Sequence, residues 1–286
     1  MRNATTSISE QIRYLRGEDA FRKDPLGVLG RLALWRGVTV LSRNPTRVDL
    51  PMYKVSIEIP PEWRGIAKLI FAYRELYDRE LVWLAKNVQP GSITVDVGAS
   101  FGLYTIVAAR AAGEFGRVLS FEPALRTFDV LKRNIALNRF TNVSIFNCAL
   151  GDRDAEVPFY HHPDSSRNSL GLVEGMSGTS ETVRMTTLSR VCESLGITQV
   201  DFLKIDVEGA EETTLRGCLP MIEASRPRII IEINPPRAIA IGLRPDGAWR
   251  MLLDLDYRLQ HLEAYGHMRD VVAMPDHPIN LIATPR

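Results

Sequence analysis

About a third of the way along, the chain reads Ile93-Thr-Val-Asp-Val-Gly-Ala-Ser-Phe-Gly-Leu-Tyr-Thr105, and no other stretch carries a stronger signal of its fold. A short β-branched run ends in an acid and a glycine, and a second glycine, Gly102, opens an apolar helix. Gly98 has no Cβ, so the backbone can turn sharply there and approach a ligand closely. The helix offers unpaired N–H groups at its start. The pattern predicts a strand, a turn and a helix that form a ligand site in an α/β fold.

A second apolar run, Val118-Leu-Ser-Phe-Glu-Pro123, follows about twenty residues later, which is the usual spacing in nucleotide-binding α/β units. It ends in a lone carboxylate, Glu122. An acid at the end of the second strand is suited to accept both hydroxyls of a ribose. We therefore expect a nucleoside-containing cofactor.

The details of the turn select among such cofactors. A dinucleotide site uses G-x-G-x-x-G, whereas this chain has glycines only at Gly98 and Gly102, with Ser100 between them, and it contains no G-x-x-x-x-G-K-[ST] phosphate loop. Asp96 would place a negative charge beside a pyrophosphate, which is unfavourable. The same charge suits a cofactor with a positive amino-acid end. The turn therefore predicts S-adenosyl-L-methionine, with S-adenosyl-L-homocysteine as the product.

Several further segments resemble one known family, the FkbM family of class I methyltransferases. These segments are Phe121-Glu-Pro123, Leu131-Lys-Arg-Asn-Ile-Ala-Leu-Asn138, Asn142-Val, Asn147-Cys-Ala-Leu-Gly-Asp152 and Leu203-Lys-Ile-Asp-Val-Glu-Gly-Ala-Glu211. The resemblance covers residues 70 to 235, and Ser100 departs from it because the family usually carries asparagine there. Together, the turn and the resemblance predict cofactor contacts at Asp96, Gly98, Ala99, Ser100, Gly102, Tyr104, Thr105, Glu122, Pro123, Asn147, Cys148, Ala149 and Asp206.

The order of segments predicts the architecture. Apolar strand and helix patterns alternate from residue 93 onward, as a parallel sheet requires. The resemblance implies a Rossmann-like sheet of seven mostly parallel strands, with the last strand antiparallel. We expect a methyltransferase domain at residues 66–286 with an insertion at 157–184 that contains two short strands. We expect residues 1–65 to form an N-terminal extension with an edge hairpin over Val48–Ile59. The extension either covers the substrate or forms a homodimer, or its helix simply packs on the body of the enzyme. Residues 66–87 have the period of one helix.

Composition limits the class of protein. The chain has 286 residues, is 45% hydrophobic and 24% charged, and has a formal net charge of +1. This balance gives no electrostatic reason to expect a nucleic-acid partner. Its three cysteines, with no C-x-x-C pair, predict reduced thiols in a cytoplasmic protein. The charged first thirty residues predict no signal peptide, and the absence of a long apolar run predicts no membrane span.

The candidate chemistry follows the fourth strand. Asp206 ends that strand, and Glu208 and Glu211 follow within one helical turn, where acids are electrostatically favoured. Methyl transfer needs alignment, a dry site and, for a hydroxyl acceptor, a proton acceptor. We predict that Asp206 lies near the methionine end of the cofactor and that Glu208 orients or deprotonates the acceptor.

A second group lies in the insertion. The resemblance implies a serine-containing loop beside the substrate, and Asn168 and Ser169 match it best. His161 is a candidate general base, since histidine titrates near neutral pH. Adjacent histidines at a strand end are also common as solvated residues, so both readings of His161 stay open.

Two alternatives concern the fifth strand. Asp206, Glu232 and Asn234 resemble the magnesium ligands of catechol-type O-methyltransferases, and such oxygen ligands suit a hard cation; we nevertheless predict no metal. Asn234-Pro-Pro-Arg237 resembles the N-P-P-[YF] signature of amino-group nucleic-acid methyltransferases, but it follows the wrong strand and lacks the aromatic residue. We interpret it as a rigid turn.

The function expected from these observations is transfer of a methyl group to a hydroxyl of a small molecule, a natural product or a sugar. An N-methyltransferase acting on protein or RNA is the alternative, which the neutral charge and the misplaced N-P-P disfavour. A scaffold that binds the cofactor without chemistry is the third class. The intact Asp96, Glu122 and the run from Lys204 to Glu211 argue against it.

Overall fold

The computed structural model describes residues 17–42, 44–62, 65–162, 168–171 and 179–286. The strands in this part of the chain are β1 Thr46–Leu50, β2 Val55–Ile59, β3 Ile93–Val97, β4 Arg117–Phe121, β5 Val143–Phe146, β6 Ala149–Leu150, β7 Ala155–Tyr160, β8 Ser180–Thr186, β9 Phe202–Ile205, β10 Arg228–Ile233, β11 Tyr257–Leu262, β12 Met268–Asp270 and β13 Ile279–Pro285. The α-helices are α1 Asp19–Lys23, α2 Pro25–Leu41, α3 Ile66–Tyr73, α4 Arg79–Asn87, α5 Leu103–Ala112, α6 Leu125–Asn138, α7 Leu188–Ser194, α8 Glu211–Ser225, α9 Pro235–Ala240 and α10 Gly247–Asp254. No helix among these residues is both long and apolar enough to cross a membrane.

The central sheet confirms the predicted architecture. Within the described residues its strand order is β12-β11-β13-β10-β9-β3-β4-β5. Strands β10, β9, β3, β4 and β5 run parallel, whereas β13 is antiparallel to both of its neighbours. The eighth strand, β12, pairs with β11 and was not predicted. Its three residues are too few to show a period in the sequence.

Both faces of the sheet are covered. Strand β10 shows why: Ile229 and Ile231 pack into one apolar cluster with α7, α8 and α10, while Ile230 packs into the other with α3, α4 and α5. Successive side chains of a strand point to opposite faces, so a strand buried on both faces is apolar without alternation. This explains the continuous isoleucine run.

The register brings the candidate site residues to one edge. Val97 at the end of β3 pairs with Phe121 of β4 on one side and with Ile205 of β9 on the other. The next residues along each strand, Gly98, Glu122 and Asp206, therefore meet at the carboxyl edge of the sheet.

The turn after β3 packs closely against the backbone of the turn after β9. Gly98 has φ +77°, and a Cβ built on it would lie 1.9 Å from the carbonyl oxygen of Asp206. The N–H groups of Gly98 and Ala99 both donate to the carbonyl of Phe121 at 3.0 Å. Glycine at position 98 therefore allows the β3 and β9 turns to touch.

The predicted edge hairpin does form, but not at the edge of the main sheet. Strands β1 and β2 make a separate two-stranded sheet. The outer side of β2 is paired instead with side chains of α6: Asn134 accepts from the N–H of Glu58 at 2.6 Å and donates to its carbonyl at 2.9 Å. Asn138 makes the same two bonds with Ser56. The two asparagines take the place of a neighbouring strand.

The single helix predicted over residues 66–87 is wrong. Helix α3 ends at Tyr73, a 3-10 turn spans Arg74–Leu76, and α4 begins after Asp78. Arg74 adopts a left-handed φ of 55°, and the Asp78 carboxylate caps the new helix by accepting from the Glu80 N–H. An N-capping acid inside an otherwise periodic stretch marks the break.

The insertion contains the two predicted strands, slightly longer than expected. Strands β7 and β8 pair antiparallel, and β6 joins them in a three-stranded sheet. Part of the predicted serine loop, residues 165–167, lies outside the described residues. The divisions at residue 65 and at 157–184 stay predictions.

The β1–β2 hairpin shares one apolar cluster with α5, which includes Ile57 and Ile106.

We predict that Asn134→Ala lowers the free energy of unfolding by about 2–3 kcal/mol, because Glu58 and Phe101 lose buried hydrogen-bond partners. Urea denaturation measures the change. Arg133→Ala, on the exposed face of the same helix, is the control and should have little effect. Equal losses in the two variants would contradict the asparagine pairing.

We also predict that Gly98→Ala destabilises the protein by about 2–4 kcal/mol, through a left-handed φ and a clash with the Asp206 carbonyl. Gly113→Ala is a matched control, since Gly113 also has a positive φ (+68°) but open space around its Cβ position. It should cost only about 1 kcal/mol. Thermal and urea denaturation of both variants separate the clash from the strain.

Candidate active site

A cavity of about 260 Å³ lies at the carboxyl edge of the sheet. It opens over the turns that follow β3, β4, β9 and β10. The residues predicted from the sequence that line it are Gly98, Ser100, Glu122, Pro123, Cys148, Ala149, Asn168, Asp206 and Glu208. The remaining predicted residues, Asp96, Ala99, Gly102, Tyr104, Thr105, Asn147, His161 and Ser169, do not line it. The cavity thus collects the residues of the strand ends, while several motif residues lie behind its wall.

Glu122 forms one side of the cavity and is almost fully buried. Its two carboxylate oxygens accept from the N–H groups of Ser100 at 2.9 Å and Ala124 at 3.0 Å. Burial raises the pKa of Glu122 to about 7, although the two backbone N–H groups oppose the shift. A carboxylate offers about four lone pairs, so further donors such as ribose hydroxyls can still bind it.

Ser100 lies at a backbone position that favours asparagine. Its φ is 51°, in the left-handed region that asparagine tolerates better than most side chains. Its hydroxyl oxygen is buried and has no hydrogen-bond partner among the described residues. The family's asparagine therefore suits the backbone here, and Ser100 keeps the conformation while it presents an unpaired polar atom at the cavity.

Asp96 is held behind the cavity by two partners. Its Oδ2 accepts from the Thr105 hydroxyl at 2.7 Å, and its Oδ1 lies 3.7 Å from the Lys204 ammonium. Burial raises the pKa of Asp96, while Lys204 and Thr105 oppose that shift. Lys204 also lies 3.3 Å from Asp206, so one buried cation joins the acids of two adjacent strands. The role of Asp96 as a direct cofactor ligand stays a prediction.

Asn147 supports the cavity from outside. Its side-chain amide donates to the carbonyls of Glu122 and Pro123, each at 2.9 Å, and the residue is itself exposed. It fixes the turn after β4, and its contact with the cofactor stays a prediction. Cys148 and Ala149 line the cavity directly.

Three carboxylates converge at the opposite side of the cavity. Ligand atoms of Asp206, Glu208 and Glu232 lie within 4.8 Å of one another. Burial and the neighbouring acids raise the pKa of Glu208 to about 8 and that of Glu232 to about 7. The Arg237 guanidinium lies 3.4 Å from Glu208, and its Nη1 is buried with no hydrogen-bond partner among the described residues. We call these three acids the carboxylate cluster.

The segment Asn234-Pro-Pro-Arg237 is not a rigid turn, as predicted, but the start of helix α9. Asn234 caps this helix by accepting from the N–H of Arg237 at 3.3 Å, and its amide nitrogen donates to Glu232 at 3.1 Å. Proline fits the first helical turn because its missing N–H has no partner there anyway. The cap directs Arg237 back toward Glu208.

The predicted substrate loop meets the cavity in part. Asn168 lines the cavity and accepts from the His162 N–H, and Ser169 donates to the carbonyl of Glu208 at 3.1 Å. His161 lies in a neighbouring cleft, with its Nε2 3.3 Å from a Glu181 oxygen. The structure therefore separates His161 from the carboxylate cluster, and its catalytic role stays a prediction.

Several residues of the site were not predicted. Tyr77, Asp78 and Asn280 line the cavity from segments outside the motifs, and Arg237 contacts the carboxylate cluster. The capping pattern of Asp78 was the available signal, since an acid two residues before Glu80 marks a helix start. Asn280 gave no local signal: it reaches the site because β13 pairs it with Glu232.

The sequence of this chain is similar to those of known proteins. The model of the methyltransferase FkbM domain matches residues 96–259. The chain is 30% identical over 189 residues to the 31-O-demethyl-FK506 methyltransferase FkbM of Streptomyces tacrolimicus, covering 56% of this chain and 71% of that one. It is 30% identical over 145 residues to Methyltransferase 1 of Beauveria bassiana, covering 44% of this chain and 58% of that one.

A solved structure titled methyltransferase FkbM from Methylobacillus flagellatus aligns with a TM-score of 0.43 at 14% identity, over 92% of this chain and 62% of that one. The family match spans more than half of this chain. The chain belongs to the FkbM family of methyltransferases.

Proposed function

We propose that the protein is an S-adenosylmethionine-dependent O-methyltransferase that acts on a hydroxyl of a small molecule, a natural product or a sugar. The observation that carries the proposal is a cavity with a ribose-type carboxylate, Glu122, on one side and the carboxylate cluster on the other. The name of the Streptomyces relative specifies an O-demethyl substrate, which supports oxygen as the acceptor atom.

The residues present fit the cofactor. Glu122 retains acceptor capacity for two ribose hydroxyls, and Ser100 presents a buried hydroxyl without a partner in the described part of the chain. Gly98 keeps the turn below the cavity free of a side chain. When bound, S-adenosylmethionine supplies a methyl group already activated by its sulfonium.

Glu208 is the proposed proton acceptor. It lines the cavity and lies beside Arg237, which holds its carboxylate in place. Of the other two acids in the carboxylate cluster, Asp206 is paired with Lys204, and Glu232 accepts from the Asn234 amide. A carboxylate with a pKa of about 8 is a stronger base than an ordinary glutamate, so once it is ionised it can take a proton from a hydroxyl acceptor.

The first test is direct. Mass spectrometry of the purified protein detects a copurified adenosyl cofactor, and a panel of hydroxyl and amine compounds is then scored for the mass gain of one methylene. Methylation of hydroxyl compounds supports the proposal. Methylation confined to amines favours the N-methyltransferase alternative, and no transfer to any acceptor from a bound cofactor favours the scaffold.

A magnesium-dependent reaction is the second candidate, because the carboxylate cluster has oxygen ligands at metal-binding spacing. Two features favour a metal-free site. Lys204 and Arg237 already neutralise Asp206 and Glu208. The oxygen of Asn234, the third ligand of the catechol-type set, accepts from the Arg237 N–H of α9.

We therefore expect EDTA to leave the methyl-transfer rate within about twofold, since the two cations already supply the compensating charge. Steady-state rates before and after chelation, and after magnesium is added back, measure this. A loss that magnesium restores would promote Asp206, Glu208 and Glu232 to metal ligands.

We also expect kcat/KM to rise as the pH passes through about 8, because Glu208 must lose its proton before it accepts one. Glu208→Gln should abolish this rise and lower the rate by about 10²–10⁴-fold. Glu211→Gln is a matched control: the pKa of Glu211 is also raised to about 8, by burial, but it does not line the cavity. A Glu208→Gln variant that keeps the parent pH profile would remove Glu208 from this role.

Two further expectations belong to the proposal. Helix α2 exposes the apolar side chains of Leu26, Leu34, Val40 and Leu41. These side chains support a homodimer through the N-terminal extension. A monomer in sedimentation velocity would overturn this expectation. The three cysteines are free thiols, which supports a reducing cytoplasmic compartment.

A further inference from the structure

One carboxylate on the cavity wall has no cationic partner among the described residues and no role in the proposed chemistry. Five acids line the cavity: Asp78, Glu122, Asp206, Glu208 and Glu232. Asp206 and Glu208 are each paired with a cation. Among the described residues, Asp78 has no lysine, arginine or histidine nitrogen within 4.0 Å, and it stands apart from the carboxylate cluster.

The orientation of Asp78 is fixed from two sides. Its Oδ1 accepts from the N–H of Glu80 at 3.1 Å, at the start of α4, and its Oδ2 accepts from the Tyr104 hydroxyl at 2.6 Å. Each bond uses one lone pair of a carboxylate that has about four. The Glu80 carboxyl also hydrogen-bonds to Asp78, so about one acceptor site remains for a group in the cavity.

Glu80, the acid next to Asp78, does not bring a second charge to this wall. Glu80 is buried, and burial together with its hydrogen bond to Asp78 raises its pKa to about 10, so Glu80 is neutral at physiological pH. The N-terminus of α4 favours a negative charge on its cap. The Glu80 carboxyl therefore acts as a hydrogen-bond donor to Asp78 and adds no second charge beside it.

Asp96, the acid expected from the sequence to meet the positive end of the cofactor, is occupied elsewhere. Thr105 binds one of its oxygens and Lys204 faces the other, and Asp96 does not line the cavity. Lys204 lies in turn 4.7 Å from the centre of the Tyr104 ring. A line of contacts therefore runs from Asp96 through Lys204 and Tyr104 to Asp78, which does face the cavity.

Tyr104 connects Asp78 to the strand ends that form the cavity. Tyr104 belongs to α5, which follows β3, and β3 lies between β4, which carries Glu122, and β9, which carries Asp206. Asp78, bonded to Tyr104, therefore lines the same cavity as the ribose-type acid and the carboxylate cluster. A cofactor with its nucleoside at Glu122 would need a partner for its positive amino-acid end elsewhere on the cavity wall, and Asp78 offers one.

We propose that Asp78 binds the α-ammonium of the cofactor, and that Tyr104, Lys204 and Asp96 are positioning residues behind it. Asp78 lies outside the segment 96–259 that matches the family, so the methionine end is bound in part by a helix that precedes the matched domain. This inference rests on the proposed function.

The test is calorimetry with two probes, S-adenosylhomocysteine and 5′-methylthioadenosine, which lacks the amino-acid end. Asp78→Asn should weaken S-adenosylhomocysteine binding about ten- to hundredfold, the usual effect of losing a charge-assisted hydrogen bond, and leave methylthioadenosine within about threefold. Glu80→Gln is the control: it removes a neutral carboxyl and keeps a donor toward Asp78, so both affinities should stay at the parent values.

Two results would overturn the inference: unchanged S-adenosylhomocysteine affinity in Asp78→Asn, or equal losses for both probes. Circular dichroism checks folding first. If Asp78→Asn does not fold, Asp78→Ser replaces it, since serine keeps a side-chain oxygen for the helix cap. Failure of the parent protein to bind either probe would instead refute the proposed function and leave no cofactor for Asp78 to bind.

Discussion

The arrangement of the site depends on one buried cation, Lys204. It lies on the central strand β9, 3.7 Å from Asp96 and 3.3 Å from Asp206, with its ammonium over the Tyr104 ring. Burial alone would lower the pKa of Lys204, but the two carboxylates raise it, so the residue stays charged. Removing Lys204 would leave the buried Asp96 carboxylate without its cation, which is strongly destabilising. Lys204 therefore ties the ends of β3 and β9 together at the edge where the cavity opens.

Two cations and several N–H donors explain how so many acids can lie at one edge of the sheet. Asp206 and Glu208 each have a cationic partner, Lys204 and Arg237. Glu122 and Glu232 are stabilised instead by N–H donors, and their pKa values still rise to about 7 because burial penalises their charged forms. A site built in this way holds carboxylates that change protonation near neutral pH, which suits a proton acceptor for a hydroxyl group.

The parts of the site that the sequence predicted are those with local signals. Gly98, Glu122 and Asp206 each follow a short apolar strand, and parallel pairing brings strand ends to one edge whatever the connecting helices contain. Asn280 and Arg237 escaped prediction because distant elements place them: β13 pairs antiparallel with β10, and Asn234 caps a helix where a turn was expected. Some motif residues face the cavity, whereas others, such as Asp96 and Asn147, support it from behind. This difference depends on tertiary packing, which the spacing of motifs in the sequence does not encode.

The segment that matches the family and the flanking segments contribute different walls of the cavity. Residues 96–259 supply Glu122, Asp206 and Glu208, the groups expected to bind the nucleoside and to handle the proton. The segment before it supplies Tyr77 and Asp78, and the segment after it supplies Asn280. A matched domain can therefore preserve the chemistry while its flanks reshape the pocket, since loops and terminal elements vary more readily than the sheet that supports them.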